Sequence, residues 1–185
     1  MKGRSPLPED FPKLSLVIGG ARSGKSRTAE ALAQRAARPK TYVATAEAWD
    51  DEMRQRIVAH RADRGGDWHL IEAPRDLPAA LASSPPSVVL IDCATLWLTN
   101  LMLSEADIAA ETAGLLAALR ASPNPVVIVT NELGMSIVPE NALARRFRDD
   151  QGRLNQVLGA QADLVLAVIA GLPLVLKGLI PGGPL

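Results

Sequence analysis

Two glycines separated by four residues, followed at once by a lysine and a serine, make up the stretch Gly19-Gly20-Ala21-Arg22-Ser23-Gly24-Lys25-Ser26. Such spacing is suited to holding phosphate. Glycines let the backbone turn tightly enough to aim successive N–H groups at phosphate oxygens. A helix beginning at the end of the turn adds the positive end of its dipole. Lys25 can then reach the β- and γ-phosphates of a nucleotide, and the Ser26 hydroxyl can ligate Mg²⁺. This is the P-loop pattern G-x-x-x-x-G-K-[ST]. Its mundane rival is a glycine-rich surface turn with an accidental lysine. Context separates the two, because an apolar run at 14–18 precedes the turn and an Ala-rich helical stretch follows it.

A second group depends on that loop for its meaning. Asp92 closes the apolar run Val88-Val89-Leu90-Ile91. A carboxylate at the carboxyl end of a central strand, beside a P-loop, holds Mg²⁺ directly or through water. An Asp that merely ends a strand is common, so it is the P-loop that favours Asp92 as a metal ligand. Cys93 follows the same apolar strand and reads as a buried structural thiol rather than a nucleophile. His60 shares one helical face with Met53 and Ile57, where a packed or helix-end histidine is the ordinary reading. Arg61 and Arg64 beside it are either cationic donors or a solvated helix end. His69, next to Trp68 on an expected strand edge, has a weaker claim to chemistry. Asn131 and Glu132 follow the apolar run 125–130, where crevice residues of an α/β sheet sit. Arg145, Arg146 and Arg148 read as surface or interface charges. No Asn-Lys-x-Asp base-reading sequence occurs, so the chain does not read as a switch GTPase. Pattern reasoning stops at a small kinase, a nucleotidyltransferase or an ATPase.

Short apolar runs alternate with helical stretches, which predicts an α/β fold with a mainly parallel sheet. Strands are expected at 14–18, 41–45, 68–71, 88–92, 125–130, 164–169 and 174–177. Helices are expected at 25–37, 50–63, 76–82, 95–121 with a break near 103–104, and 139–162. Gly171-Leu172-Pro173 would turn the last two strands into a hairpin that ends the sheet antiparallel. The expected fold class is a P-loop NTPase of the RecA-like kind, a three-layer sandwich. Residues 14–177 form its single domain, between a disordered leader at 1–13 and an irregular tail at 178–185.

Composition narrows the partners. Lys plus Arg equals Asp plus Glu at 20 each, so nothing global calls for nucleic acid or an anionic membrane. The longest apolar run, 164–176, is interrupted by Gly and Pro and is too short to span a bilayer, which argues against membrane insertion. The leader carries charges and three prolines but no apolar signal core. A single cysteine cannot form an internal disulfide and fits a reducing, cytoplasmic location.

Beyond these patterns, an ordered set of motifs resembles the bifunctional adenosylcobinamide kinase/adenosylcobinamide-phosphate guanylyltransferases. The set comprises residues 19–26, Tyr42-Val43-Ala44-Thr45-Ala46, Asp50-Asp51-Glu52-Met53, Arg56-Ile57 with His60, and Trp68 with Glu72. Thr130-Asn131-Glu132-Leu133-Gly134 and Val138-Pro139-Glu140-Asn141 complete it. The resemblance runs from about residue 14 to 177. It implies two reactions on one polypeptide: ATP or GTP phosphorylates the aminopropanol hydroxyl of adenosylcobinamide, and GMP from GTP then passes through a histidine to the new phosphate. The product is adenosylcobinamide-GDP. The family histidine falls on His60, with Ala59 where relatives often carry a second histidine. By the same resemblance, the nucleotide contacts are Gly19, Gly20, Ala21, Arg22, Ser23, Gly24, Lys25, Ser26, Ala44, Thr45, Ala46, Arg61, Ala62, Asp63, Arg64, Glu72 and Asp92. His60 and Lys25 would be catalytic, and Ser26 and Asp92 would hold Mg²⁺. Relatives often have Glu at the position of Asp92, so this carboxylate reaches one methylene less far. No tightly bound organic cofactor is implied, and a homotrimer is. Two other classes stay open: a P-loop kinase for a different metabolite without a covalent nucleotide, and a non-catalytic nucleotide-binding subunit.

Overall fold

The computed structural model describes residues 11–47 and 68–185. Twelve elements follow in chain order: β1 (Leu14–Gly19), α1 (Lys25–Gln34), β2 (Lys40–Ala44), β3 (Trp68–Glu72), α2 (Leu77–Ser83), β4 (Val88–Asp92), α3 (Ala94–Leu103), α4 (Ile108–Ala121), β5 (Val126–Asn131), α5 (Ala142–Gln161), β6 (Leu164–Ile169) and β7 (Leu172–Lys177). The predicted helix at 50–63 lies outside the described residues.

All seven strands join one sheet in the order β3-β2-β4-β5-β1-β6-β7. Every pairing is parallel except β6 with β7. The central strands are apolar at nearly every position because both faces are covered. On one face Leu16, Val89, Ile91 and Ile128 pack against Trp97, Leu98, Leu115, Leu154 and Leu158 of α3, α4 and α5. On the other, Val17, Leu90, Val127, Val129 and Leu166 pack against Ala29, Leu32 and Ala33 of α1. Together these make the expected three-layer sandwich with an antiparallel end.

The strand order fixes how the loop and the carboxylate are spaced. β4 is not the neighbour of β1; β5 lies between the strand of the P-loop and the strand of Asp92. Parallel neighbours need crossovers, so proximity along the sheet cannot be read from chain order.

Boundaries differ where local chemistry intervenes. α1 stops at Gln34 because Ala37 takes a left-handed φ of 47°. α5 begins at Ala142, where Asn141 Oδ1 accepts from the N–H groups of Leu143 and Ala144. The hairpin turn is Ala170-Gly171, and Pro173 lies within β7 opposite Val168. A proline fits there because β7 is an edge strand. The break between α3 and α4 falls where expected, and Asp107 caps the restart.

Of the expected leader, residues 1–10 lie outside the described residues, whereas 11–13 and the irregular tail pack against the domain. Phe11 is buried, and Lys13 Nζ donates to the Arg120 carbonyl at 2.7 Å, so 11–13 belong to the packed structure. The tail has no helix or strand, yet Pro181 is buried and Ile180 and Leu185 pack beside α1. Arg35 holds that tail by donating to the carbonyls of Pro181, at 2.7 Å, Gly183 and Pro184.

Candidate nucleotide-binding and transfer site

Parallel strands deliver their carboxyl ends to one edge of the sheet, and ligands of such sheets bind there. That edge carries Gly19 and the P-loop after β1, Thr45-Ala46-Glu47 after β2, Glu72 at the end of β3, Asp92 at the end of β4, and Asn131-Glu132 from β5. Residues scattered over more than a hundred positions of sequence are thereby gathered along one crevice.

The P-loop has the conformation that its glycines permit. Arg22 and Gly24 take positive φ angles of 56° and 95°, and the Ser23 N–H donates to the Gly20 carbonyl at 3.3 Å. Gly24 is the residue before α1, and no side chain caps that helix. The first-turn N–H groups of α1 therefore lack the side-chain partner that Asp76, Asp107 and Asn141 give α2, α4 and α5. An uncapped helix start facing a glycine-rich turn is an anion site by construction. Lys25 Nζ bends back to the Gly20 carbonyl at 3.1 Å, which keeps the ammonium over the loop. The hairpin between β6 and β7 supports the loop from beneath: the Gly171 N–H donates to the Ser23 carbonyl at 2.8 Å.

Asp92 is half-buried, and its Oδ2 accepts from the Tyr42 hydroxyl at 3.1 Å. Thr45, by contrast, is fully buried, with its hydroxyl committed to the Cys93 backbone. It donates to the Cys93 carbonyl at 2.8 Å and accepts from the Cys93 N–H at 2.7 Å. Asn100 Nδ2 ties the Thr45 and Pro74 carbonyls together at 2.8 and 2.9 Å. Glu47 pairs with Arg75 at 3.0 Å. These contacts lock the ends of β2, β3 and β4 to one another. Sequence reasoning missed Tyr42, Asn100 and Arg75 in this role, because their partners lie 22 to 55 positions away.

Cys93 is the buried thiol that was expected. Burial, reinforced by the neighbouring Asp92 carboxylate, pushes its pKa up to about 12, with Lys25 opposing. A thiol so protonated at neutral pH is no nucleophile. His69 is exposed on the edge strand β3, outside the crevice. Arg145 is not a free surface charge: it donates to the carbonyls of Pro139, at 3.0 Å, and Glu140 and so braces the segment before α5. Glu72 is exposed at the mouth of a shallow concavity of about 480 Å³ beside α2. Of the expected site, the structure brings together residues 19–26, 44–46, Glu72 and Asp92 on one sheet edge. His60, Arg61, Ala62, Asp63 and Arg64 lie outside the described residues.

The donor set fits Mg²⁺. P-loop sites hold that ion with one hydroxyl and one carboxylate, and phosphates and water complete the octahedron. Ser26, at the start of α1, and Asp92, at the end of β4, are a hydroxyl and a carboxylate of that kind on the same sheet edge. No cluster of three or more His, Cys, Asp or Glu occurs among the described residues, and this mode of binding needs none.

A parallel sheet with a P-loop after β1 and a carboxylate after β4 defines a P-loop nucleotide-binding fold. Consistent with that class, the chain superposes on the ATPase of a type III secretion system of pathogenic bacteria. The TM-score is 0.50 at 12% identity, covering 83% of this chain and 50% of the other. At that identity the likeness concerns fold alone. Sequence comparison is more specific. Residues 15–176 match the family described as cobinamide kinase / cobinamide phosphate guanyltransferase. The bifunctional adenosylcobalamin biosynthesis protein CobP of Pseudomonas aeruginosa is 43% identical over 167 residues, 88% of this chain and 96% of that protein. The bifunctional adenosylcobalamin biosynthesis protein CobU of Escherichia coli K12 is 42% identical over 179 residues, 88% of this chain and 98% of that one. The chain belongs to the cobinamide kinase / cobinamide phosphate guanyltransferase family.

Proposed function

We propose that this protein phosphorylates adenosylcobinamide with ATP or GTP and then guanylylates the product with GTP, through a GMP adduct on His60. The observation that carries this reading is the family match over 15–176, together with the P-loop and Asp92 on one sheet edge. Nucleotide phosphates would rest on the N–H groups of residues 19–26, with Lys25 on the β- and γ-phosphates. Thr45 contributes through its backbone and its hold on Cys93, since its hydroxyl is already committed. Ser26 and Asp92 would hold Mg²⁺, which when bound offsets the charge of the β- and γ-phosphates.

In the kinase step the substrate hydroxyl attacks the γ-phosphorus, the bond from that phosphorus to the bridging oxygen breaks, and the hydroxyl proton leaves to solvent. In the transferase step a neutral imidazole nitrogen of His60 attacks the α-phosphorus of GTP and pyrophosphate departs. The cobinamide phosphate oxygen then attacks the same phosphorus and the P–N bond breaks. A neutral nucleophile serves here because it adds no negative charge against a triphosphate. Arg61 and Arg64 would offset charge that builds up on the leaving phosphates.

Assembly into a homotrimer belongs to the same reading. It is supported by the apolar residues exposed on the edge strand β7, Leu172, Leu174 and Leu176 at 72%, 57% and 60%, and by Met135 and Ile137 above 90%. Exposed apolar edges on this scale mark contact surfaces. A cytoplasmic location accords with the lone thiol and the nucleotide substrates. Among the described residues no helix is long and apolar enough to cross a membrane.

Labelled GTP tests the reading. α-labelled GTP should leave label on the protein, γ-labelled GTP should not, and the label should be acid-labile and base-stable. His60→Ala should abolish labelling while cobinamide phosphorylation survives. Undiminished labelling of that variant removes His60 from the mechanism. Turnover of cobinamide with no label under any condition leaves a kinase alone, and nucleotide binding without turnover leaves a binding subunit.

A further inference from the structure

On the crevice edge the P-loop is met from two sides. The turn between β6 and β7 meets it at Ser23, and the loop after β5 meets it at Gly19, whose carbonyl accepts from the Glu132 N–H at 3.1 Å. β5 separates the P-loop strand from the strand of Asp92. The loop 132–141 therefore walls the P-loop on the side of that carboxylate. β5 ends at this edge and α5 sets out from it toward β6, so the whole loop stays there.

The surface that this wall presents is apolar. Between Glu132 and Glu140 no residue is charged, the run being Leu133-Gly134-Met135-Ser136-Ile137-Val138-Pro139. Met135 is 91% exposed, Ile137 94% and Val138 60%. The loop is nonetheless braced along its length. Near its start the Glu132 carboxylate accepts from the Gly134 N–H, and Ser136 Oγ donates to the Leu133 carbonyl at 3.1 Å. At its far end Arg145 donates to the Pro139 and Glu140 carbonyls, and Asn141 caps α5. A braced loop that holds three apolar side chains in water is suited to a partner that covers them.

We propose that loop 133–138 is the platform on which the corrin ring of the acceptor rests, with Met135 and Ile137 against the ring and Glu132 and Glu140 at its rim. The proposal deepens the function given above and rests on it for the identity of the acceptor. Shape and charge both favour this occupant. The ring is a broad, methyl-bearing disc, whereas the reacting hydroxyl hangs on a short arm. A ring seated on the loop leaves that arm beside a phosphate held at the P-loop. Cobalt(III) outweighs the charges of the corrin and its alkyl ligand, so the disc is cationic and suits two carboxylates with no cation between them. The same two carboxylates repel a nucleotide triphosphate. The apolar strand β7, in contrast, lies at the far end of the sheet, where another copy of the chain can cover it.

The consequence is that the loop acts on the acceptor and leaves the nucleotide alone. Losing the burial of two apolar side chains weakens binding about ten-fold or more. Guanylylation of the protein by GTP needs no cobinamide and should not respond.

Two double variants of the full chain are compared with wild type: the polar Met135→Gln with Ile137→Asn, and the conservative Met135→Leu with Ile137→Val. Equilibrium dialysis of adenosylcobinamide is followed by its corrin absorbance, with the β,γ-imido analogue of ATP present. Affinity for that analogue, labelling by α-labelled GTP, steady-state phosphorylation, melting temperature and mass in solution complete the set. In the polar variant, cobinamide affinity should fall about ten-fold or more, and KM for cobinamide should rise to match, with kcat within about three-fold of wild type. Analogue affinity, labelling, melting temperature and mass should be unchanged, and the conservative variant should behave as wild type throughout. Wild-type cobinamide affinity in the polar variant overturns the proposal. A smaller mass in solution also overturns it and gives the loop to the contact between copies. A joint loss of analogue affinity and melting temperature overturns it too, by making the loop structural. If wild type neither binds nor phosphorylates cobinamide, the functional reading falls and the platform with it; equal binding by wild type and polar variant removes the platform alone.

Discussion

The Tyr42 hydroxyl donates to Asp92 Oδ2 at 3.1 Å, across the pair of strands β2 and β4. One carboxylate oxygen is thereby tied to the neighbouring strand. This contact orients the Asp92 carboxylate. Tyr42→Phe keeps the ring, which stacks edge-on against Trp68 at 6.0 Å, and deletes only the hydrogen bond. We expect stability to fall by about 0.5–1.5 kcal/mol and the Mg²⁺ concentration for half-maximal nucleotide turnover to rise about ten-fold. A Mg²⁺ titration of turnover, alongside nucleotide affinity in EDTA, checks this; equal losses in both would deny Tyr42 a role in aiming Asp92.

Gly24 links phosphate binding to the far end of the chain. Its φ is 95°, and a Cβ added there would sit 3.1 Å from the Cα of Gly171 in the β6–β7 turn. Gly24→Ala is expected to lose about 1–2 kcal/mol from the left-handed backbone alone. The turn would be displaced as well, and affinity for a fluorescent GTP analogue should fall at least about ten-fold, since the N–H groups no longer converge. Wild-type affinity in this variant would show that the loop rebuilds itself on binding.

Cys93 offers a pH test whose sign is fixed. Its folded pKa, about 12, lies above the ordinary thiol value of 9.0. The unfolded thiol ionises from about pH 9, while the folded one stays protonated. Its contribution to stability is whole below pH 9 and is lost as pH rises toward 12. At pH 8 a thiol-specific disulfide reagent should label the protein only when denaturant is added. Rapid labelling of native protein would contradict the burial seen at this position.

Arg35 clamps residues 181–184 against α1 through three backbone carbonyls. Arg35→Ala should lower stability by about 1–2 kcal/mol and the midpoint of thermal unfolding by roughly 2–6 °C. Carboxypeptidase should also trim the tail faster. Unchanged trimming would mean that Pro181 and Ile180 anchor the tail unaided.

How much of this could be read in advance depended on the range of the interactions. The P-loop, the strand ending in Asp92 and the break before α4 were legible because each is written in a few adjacent residues. The packing of residues 11–13 and of the tail was not legible, because Pro, Gly and charge describe a segment alone. The contacts that order them reach Arg120 from Lys13 and Pro184 from Arg35, separations of 107 and 149 positions. Thr45 was expected at the nucleotide through its motif, and no local pattern reveals that its hydroxyl is taken by Cys93.

The sequence by itself determined the phosphate-holding chemistry, the α/β class and the family, since all three rest on residue types in a fixed local order. Tertiary structure decided which strand separates loop from carboxylate and which side chains tie the ends of β2, β3 and β4 to one another. Those facts depend on how parallel strands are shuffled by their crossovers and on hydrogen bonds between residues far apart in the chain. Neither leaves a mark on any short stretch of it.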